Sequence, residues 1–109
     1  MSEQSIQKSR RIQLQNKLEE ILGSRNVYFE PPENIKMEYP CIVYTLSDIY
    51  SQRADNLPYK NTRAYQVTCI GKDPDTDLPD RILEELEMCS YEQEFKSNNL
   101  IHNVLRLYY

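Results

Sequence analysis

Apolar and polar positions alternate in two registers along this chain, one with a period near 3.6 and one with a period of two. Over residues 4–22 the apolar positions Leu14, Leu18, Ile21 and Leu22 recur at offsets of four, seven and eight. Gln, Lys, Arg and Glu fill the positions between them. Ile6 and Ile12 add further apolar content. This spacing predicts an amphipathic helix whose stripe must bury against something else. Gly23 follows the last apolar pair, and as a C′ residue it takes a left-handed backbone without a Cβ penalty.

Val27, Tyr28 and Phe29 predict a small edge strand or an extended arm, stopped by Pro31 and Pro32. Pro40 then introduces a strand over residues 41–50. Ile42, Tyr44 and Leu46 lie on one face, and Cys41, Val43 and Thr45 on the other. Both faces begin apolar, so this strand is expected to be central or covered on both sides. Past Leu46 it turns polar and is expected to project into solvent. Residues 51–61, SQRADNLPYKN, read as a long hairpin loop.

Alternation resumes over residues 62–70, with Tyr65, Val67 and Cys69 on one face and Ala64, Gln66, Thr68 and Ile70 on the other. Antiparallel pairing with the preceding strand is the simplest topology. GKDPDTD is a turn-rich linker. Pro79 and Asp80 suit a first helical turn, and Ile82, Leu83, Leu86 and Cys89 follow at helical spacing in a helix that ends near Met88. A final hairpin spans residues 90–96 and 100–109, turning at Ser97, Asn98 and Asn99. The asparagines tolerate the positive φ of tight turns. The expected fold is α+β: a mainly antiparallel sheet of about four strands with two helices packed on one face, in the order α-β-β-α-β-β. A small extra strand is possible near the N-terminus.

With 109 residues, 39% of them hydrophobic and 28% charged, the chain is expected to form one domain over residues 1–109. No apolar run approaches the roughly 20 residues of a membrane span, and no signal sequence opens the chain, so no membrane is expected and a cytoplasmic site of synthesis is. The formal charge of -4 argues against nonspecific nucleic-acid binding, although Lys8, Arg10, Arg11 and Lys17 form a local basic cluster, read as the solvated face of a helix. Cys41, Cys69 and Cys89 are widely spaced in apolar contexts. They read as reduced, buried small hydrophobes, without the paired spacing of a zinc site.

Candidate chemistry narrows rather than opens the picture. Asp73, Asp75, Asp77 and Asp80 superficially resemble a calcium loop, and Glu84 stands at the twelfth position, but Leu78 occupies the position that needs glycine and Pro79 interrupts the loop. The acidic run is therefore assigned to a solvated turn and the start of a helix. His102 has neither a nucleophile nor an orienting carboxylate nominated beside it. With two glycines, Gly23 and Gly71, there is no phosphate loop. No enzyme, metal or cofactor is expected. The nine tyrosines read equally as interface residues and as ordinary strand residues, Tyr39, Tyr44, Tyr50, Tyr59 and Tyr65 flanking the central strands.

The phrases LEEILGSRNVYFEPPENIKMEYPCIVY, ADN and YQVTCIGKDPDTDLPDRI, in that order over residues 14–109, resemble the tail-terminator (tail-completion) proteins of long-tailed bacteriophages and prophages. The resemblance implies a structural virion protein, made in the host bacterial cytoplasm and located at the head-proximal end of the tail. It implies a small α+β subunit that closes into a homo-hexameric ring, caps the tail tube, stops its polymerisation and presents a surface for head-tail joining. The implied partners are further copies of the chain, the tail-tube protein and the head-tail connector protein, with DNA passing through the lumen without specific binding. On this reading Gln52, Arg53, Asp55, Asn56, Tyr59 and Lys60 make subunit or tube contacts, with Arg10, Arg11 and Lys17 as a second contact surface. Another head-tail connector component, or a non-viral intracellular protein-binding adaptor, is the alternative.

Overall fold

The structure, a computed structural model, describes residues 3–49 and 62–109, with side chains described from Lys8 onward. Helix α1 (Glu3–Leu22) is followed by strands β1 (Val27–Phe29), β2 (Cys41–Ile49) and β3 (Arg63–Gly71), helix α2 (Leu78–Glu85), and strands β4 (Cys89–Ser97) and β5 (Leu100–Tyr108). The strands form one sheet in the order β1-β2-β3-β5-β4.

The α+β class holds, but the sheet differs from the expected one. It has five strands and is mixed, because β1 pairs parallel with β2, Tyr28 opposite Val43. A parallel neighbour requires the chain to travel back along the sheet before pairing. Residues 30–40, with Pro31 and Pro32 at their start and a cis Tyr39–Pro40 peptide at their end, make that return. The remaining pairings are antiparallel. Val67 lies opposite both Tyr44 of β2 and Leu105 of β5, so β3 is the middle strand.

The two alternating faces separate as the pattern requires. Ile42, Tyr44, Tyr65, Val67, Cys69, Leu105 and Leu107 cluster with Leu14, Leu18 and Ile21 of α1 and with Leu78, Ile82 and Leu86 of α2. Both helices therefore cover the same side of the sheet. Full burial of a Leu or Ile side chain contributes about 1.5–3 kcal/mol, so these residues hold the helices down. Arg81 Nη1 donates to the Ile21 carbonyl at 2.8 Å, satisfying an end of α1 that helical bonding leaves open. Past Leu46 the β2 residues Ser47, Asp48 and Ile49 are exposed, and the register slips between Leu46 and Asp48.

The ends of α1 and of the hairpin follow the sequence closely. Gly23 has φ +84°, and its N–H bonds the Glu19 carbonyl at 2.8 Å. Asn98 and Asn99 have φ of 54° and 62° in the β4–β5 turn. The second helix is shorter than expected. It ends at Glu85, Leu86 is already extended (φ -114°, ψ 118°), and Cys89, expected on the helical stripe, opens β4 opposite Leu107. Cys89 meets the same covered core from either conformation, so its apolar character does not distinguish them.

Candidate functional site

The basic face of α1 meets the sheet at its β1 edge. Arg11 stands three residues before Leu14 and seven before Leu18, so it shares the sheet-facing side of the helix. Its guanidinium lies over the Phe29 ring, 4.5 Å from the centroid, and Nη1 donates to the Tyr44 hydroxyl at 3.3 Å. The Tyr44 hydroxyl in turn donates to Gln15 Oε1 at 2.5 Å. Gln15 Nε2 reaches the Val27 carbonyl at 2.9 Å and Glu19 Oε2 at 3.0 Å. The Tyr44 and Phe29 rings sit 4.9 Å apart, and Tyr65 closes the group with centroids 5.8 Å from Tyr44 and 6.4 Å from Phe29. Burial raises the phenol pKa of both tyrosines, and Arg11 opposes that rise at Tyr44.

Beside this aromatic group is a cleft of about 390 Å³. Lys8, Arg11 and Arg63 give it positive charge, Glu30 stands at it as the one carboxylate among the described residues, and Phe29, Leu46 and Tyr65 supply apolar wall. Arg63 belongs to the helix-covered face of β3, with its backbone tied to Tyr109 at 3.2 and 2.9 Å. Its Nε is buried and makes no hydrogen bond. A buried donor without an acceptor costs about 1–3 kcal/mol. A second cleft, about 550 Å³, lies at the other end of the sheet, between residues 37–40 and the start of α2. Cys69, Leu78 and Ile101 line it, with Lys72 and Asp73 also at its boundary.

The predicted contact residues fall into three groups. Gln52, Arg53, Asp55, Asn56, Tyr59 and Lys60, with Tyr50, lie outside the described residues. Arg10 and Arg11 stand on α1 at the cationic cleft end. Lys17 is further along the helix and forms an ion pair with Glu85 of α2 at 3.1 Å, which raises its pKa mainly through the hydrogen bond. The structure thus gives Lys17 and Arg11 partners within the chain. Arg63 was not among the expected contact residues. Its signal was its place in the alternation with Tyr65, on the face that turns toward Arg11 and Leu46.

The other candidates resolve into local structure. Asp75 N–H donates to Asp73 Oδ1 at 2.9 Å and Leu78 N–H to Thr76 Oγ1 at 3.2 Å, two side-chain turns leading into α2. Asp77 pairs with Arg81 at 3.3 Å. His102 lies on the helix-free face, stacked on Phe95 with ring centroids 4.6 Å apart. Tyr91 donates to the buried Asn103 Oδ1 at 2.8 Å.

Cys41 and Cys69 are buried and Cys89 half-buried, and burial pushes their thiols up to about 11, 12 and 11 from 9.0. The folded state therefore holds thiol protons that the unfolded chain releases above pH ~9, so this contribution to stability is constant at neutral pH and falls as pH rises through 9 to 12. At pH 8, iodoacetamide is expected to modify Cys69 more than about tenfold slower in the native protein than in urea, because the thiolate is the reacting species. Equal rates would reject this environment.

Among the described residues no helix is long and apolar enough to cross a membrane. Comparison with family models, curated proteins and solved structures gives no match to this chain.

Proposed function

We propose that the chain is a structural virion assembly protein, a tail terminator whose copies close into a ring of six that caps a phage tail tube, stops its polymerisation and offers a surface for head-tail joining. The observation carrying this reading beyond the sequence resemblance is an opposition of charge across the sheet. The β1–β3 side of the helix-covered face carries Lys8, Arg11 and Arg63 around one cleft. The α2–β4 edge exposes Glu84, Glu85, Glu87, Glu92 and Glu94, with Tyr91 and Phe95 exposed among them. Two unlike sides of one subunit suit a heterologous, head-to-tail contact, which closes into a ring when the rotation permits. DNA would cross the lumen, and the tube and the connector would take opposite faces of the ring.

The test is light scattering over a concentration series, with negative-stain imaging and co-purification with tail-tube protein. Arg53→Glu with Lys60→Glu is expected to leave the subunit folded while impairing assembly. Normal tail length and infectivity in that double variant would reject the contact assignment for residues 52–60. A chain that stays monomeric and fails to bind tube protein would instead favour a connector component or an intracellular adaptor, for which the cationic cleft alone would be the docking feature.

A further inference from the structure

We propose that the cleft between α1 and the β2–β3 end binds an organic monocarboxylate, with the carboxylate at Arg63 and Arg11 and its apolar body on Phe29, Leu46 and Tyr65. The inference goes beyond the assembly reading and does not depend on it. Three features specify this chemistry. First, Arg63 lines the cleft while its buried Nε lacks an acceptor. The Nε edge of a guanidinium presents paired donors that match a carboxylate in a two-bond fork. Second, Arg11 is held in place before any ligand arrives, stacked 4.5 Å over Phe29 and bonded to Tyr44. A pre-positioned cation loses little freedom on binding.

Third, the surroundings discriminate between anions. Among the described residues Lys8, Arg11 and Arg63 oppose the carboxylate of Glu30, whose backbone is anchored by a 3.0 Å bond from its N–H to the Tyr44 carbonyl. That local excess of positive charge draws an anion to the cleft, and the apolar walls rather than the charge count favour a carboxylate carried on an apolar body. The aromatic and aliphatic walls add nothing for a small hydrated ion such as phosphate, which would meet only the cations, but they suit a phenyl or branched alkyl group. A volume of about 390 Å³ falls within the range of small-ligand pockets. The same chemistry is offered by a free small carboxylate and by a Glu or Asp side chain beside an apolar residue of a protein segment.

The experiment is an NMR titration of the isotopically labelled chain, following the amides of Leu46, Arg63 and Tyr65. The probes are 3-phenylpropionate, its neutral counterpart 3-phenylpropanol, inorganic phosphate, and the peptides acetyl-Phe-Glu-amide and acetyl-Phe-Gln-amide. Saturable shifts are expected with at least one carboxylate, with the matching neutral probe and phosphate weaker by at least about tenfold, and with a comparable loss in Arg63→Gln. A tighter Glu peptide identifies a protein segment as the source, and phenylpropionate binding as tightly or more tightly identifies a free carboxylate. Equal shifts from acid and neutral probes, equal shifts from phosphate, or no saturable shift with either carboxylate would overturn the proposal. Should Arg63→Gln fail to fold, Lys8→Gln at the exposed margin gives a smaller loss in the same direction, and the wild-type titrations decide by themselves.

Discussion

Replacing Tyr44 with alanine is expected to lower the unfolding free energy by about 3–5 kcal/mol, among the largest effects of any single substitution in this chain. Tyr44 is fully buried, and it joins β1, β3 and helix α1 at one position. Its ring packs between Phe29 and Tyr65, and its hydroxyl accepts from Arg11 and donates to Gln15. Alanine removes the ring and takes from Arg11 Nη1 and Gln15 Oε1 the hydroxyl they share. Tyr44→Phe keeps the ring and isolates the hydroxyl, for which a loss of about 1–2 kcal/mol is expected. Urea unfolding of the two variants side by side separates the contributions. A phenylalanine variant as damaged as the alanine one would mean that the polar chain, not the packed ring, holds this corner.

Leu18→Ala is the second large effect, at about 2–5 kcal/mol. Among its described side chains, helix α1 presents few apolar residues to the sheet, namely Leu14, Leu18 and Ile21 with Leu22 half-buried, and both Leu14 and Leu18 are fully buried. Losing one of so few contacts is expected to loosen the helix before the sheet, so amide hydrogen exchange should accelerate first within α1. Because Lys8 and Arg11 ride on α1, the cationic cleft should lose definition in the same variant. Ile12→Ala, at a position 43% exposed on the outer side, is expected to change stability by less than about 0.5 kcal/mol. Comparable losses at the two positions would contradict the orientation of α1.

The covered face of the sheet was legible because strand alternation assigns Ile42, Tyr44, Tyr65, Val67 and Cys69 without reference to any partner. The same was true of Gly23, Asn98 and Asn99, where a positive φ restricts the residue types allowed. The direction of β1 was not legible. The triplet Val27, Tyr28 and Phe29 reads the same whether it pairs parallel or antiparallel, and the choice rests on the path of residues 30–40, which has no periodicity. The end of α2 was ambiguous for a related reason. Cys89 stands seven residues after Ile82, as a helix requires, and two before Tyr91, as a strand requires. For the candidate site, the basic character of α1 was visible but Arg63 was not. A lone arginine at the start of a strand gains meaning only when α1 crosses above β1 and β2 and brings Arg11 to it.

The placement of β5 between β3 and β4 has a consequence for the newborn chain on the ribosome. Synthesis delivers β2 and β3 early, and β3 then waits with one side of its backbone bare while α2 and β4 emerge. Strand β4 does not pair with β3 and leaves the gap open. Only residues 100–108 can, and they arrive after everything else in the sheet. Until then β3, the strand with the most buried residues, is an open template for any other extended segment nearby, including the same strand of a neighbouring nascent chain. Slow release of the last stretch, or a stop codon placed before it, should therefore produce insoluble protein rather than a smaller soluble one.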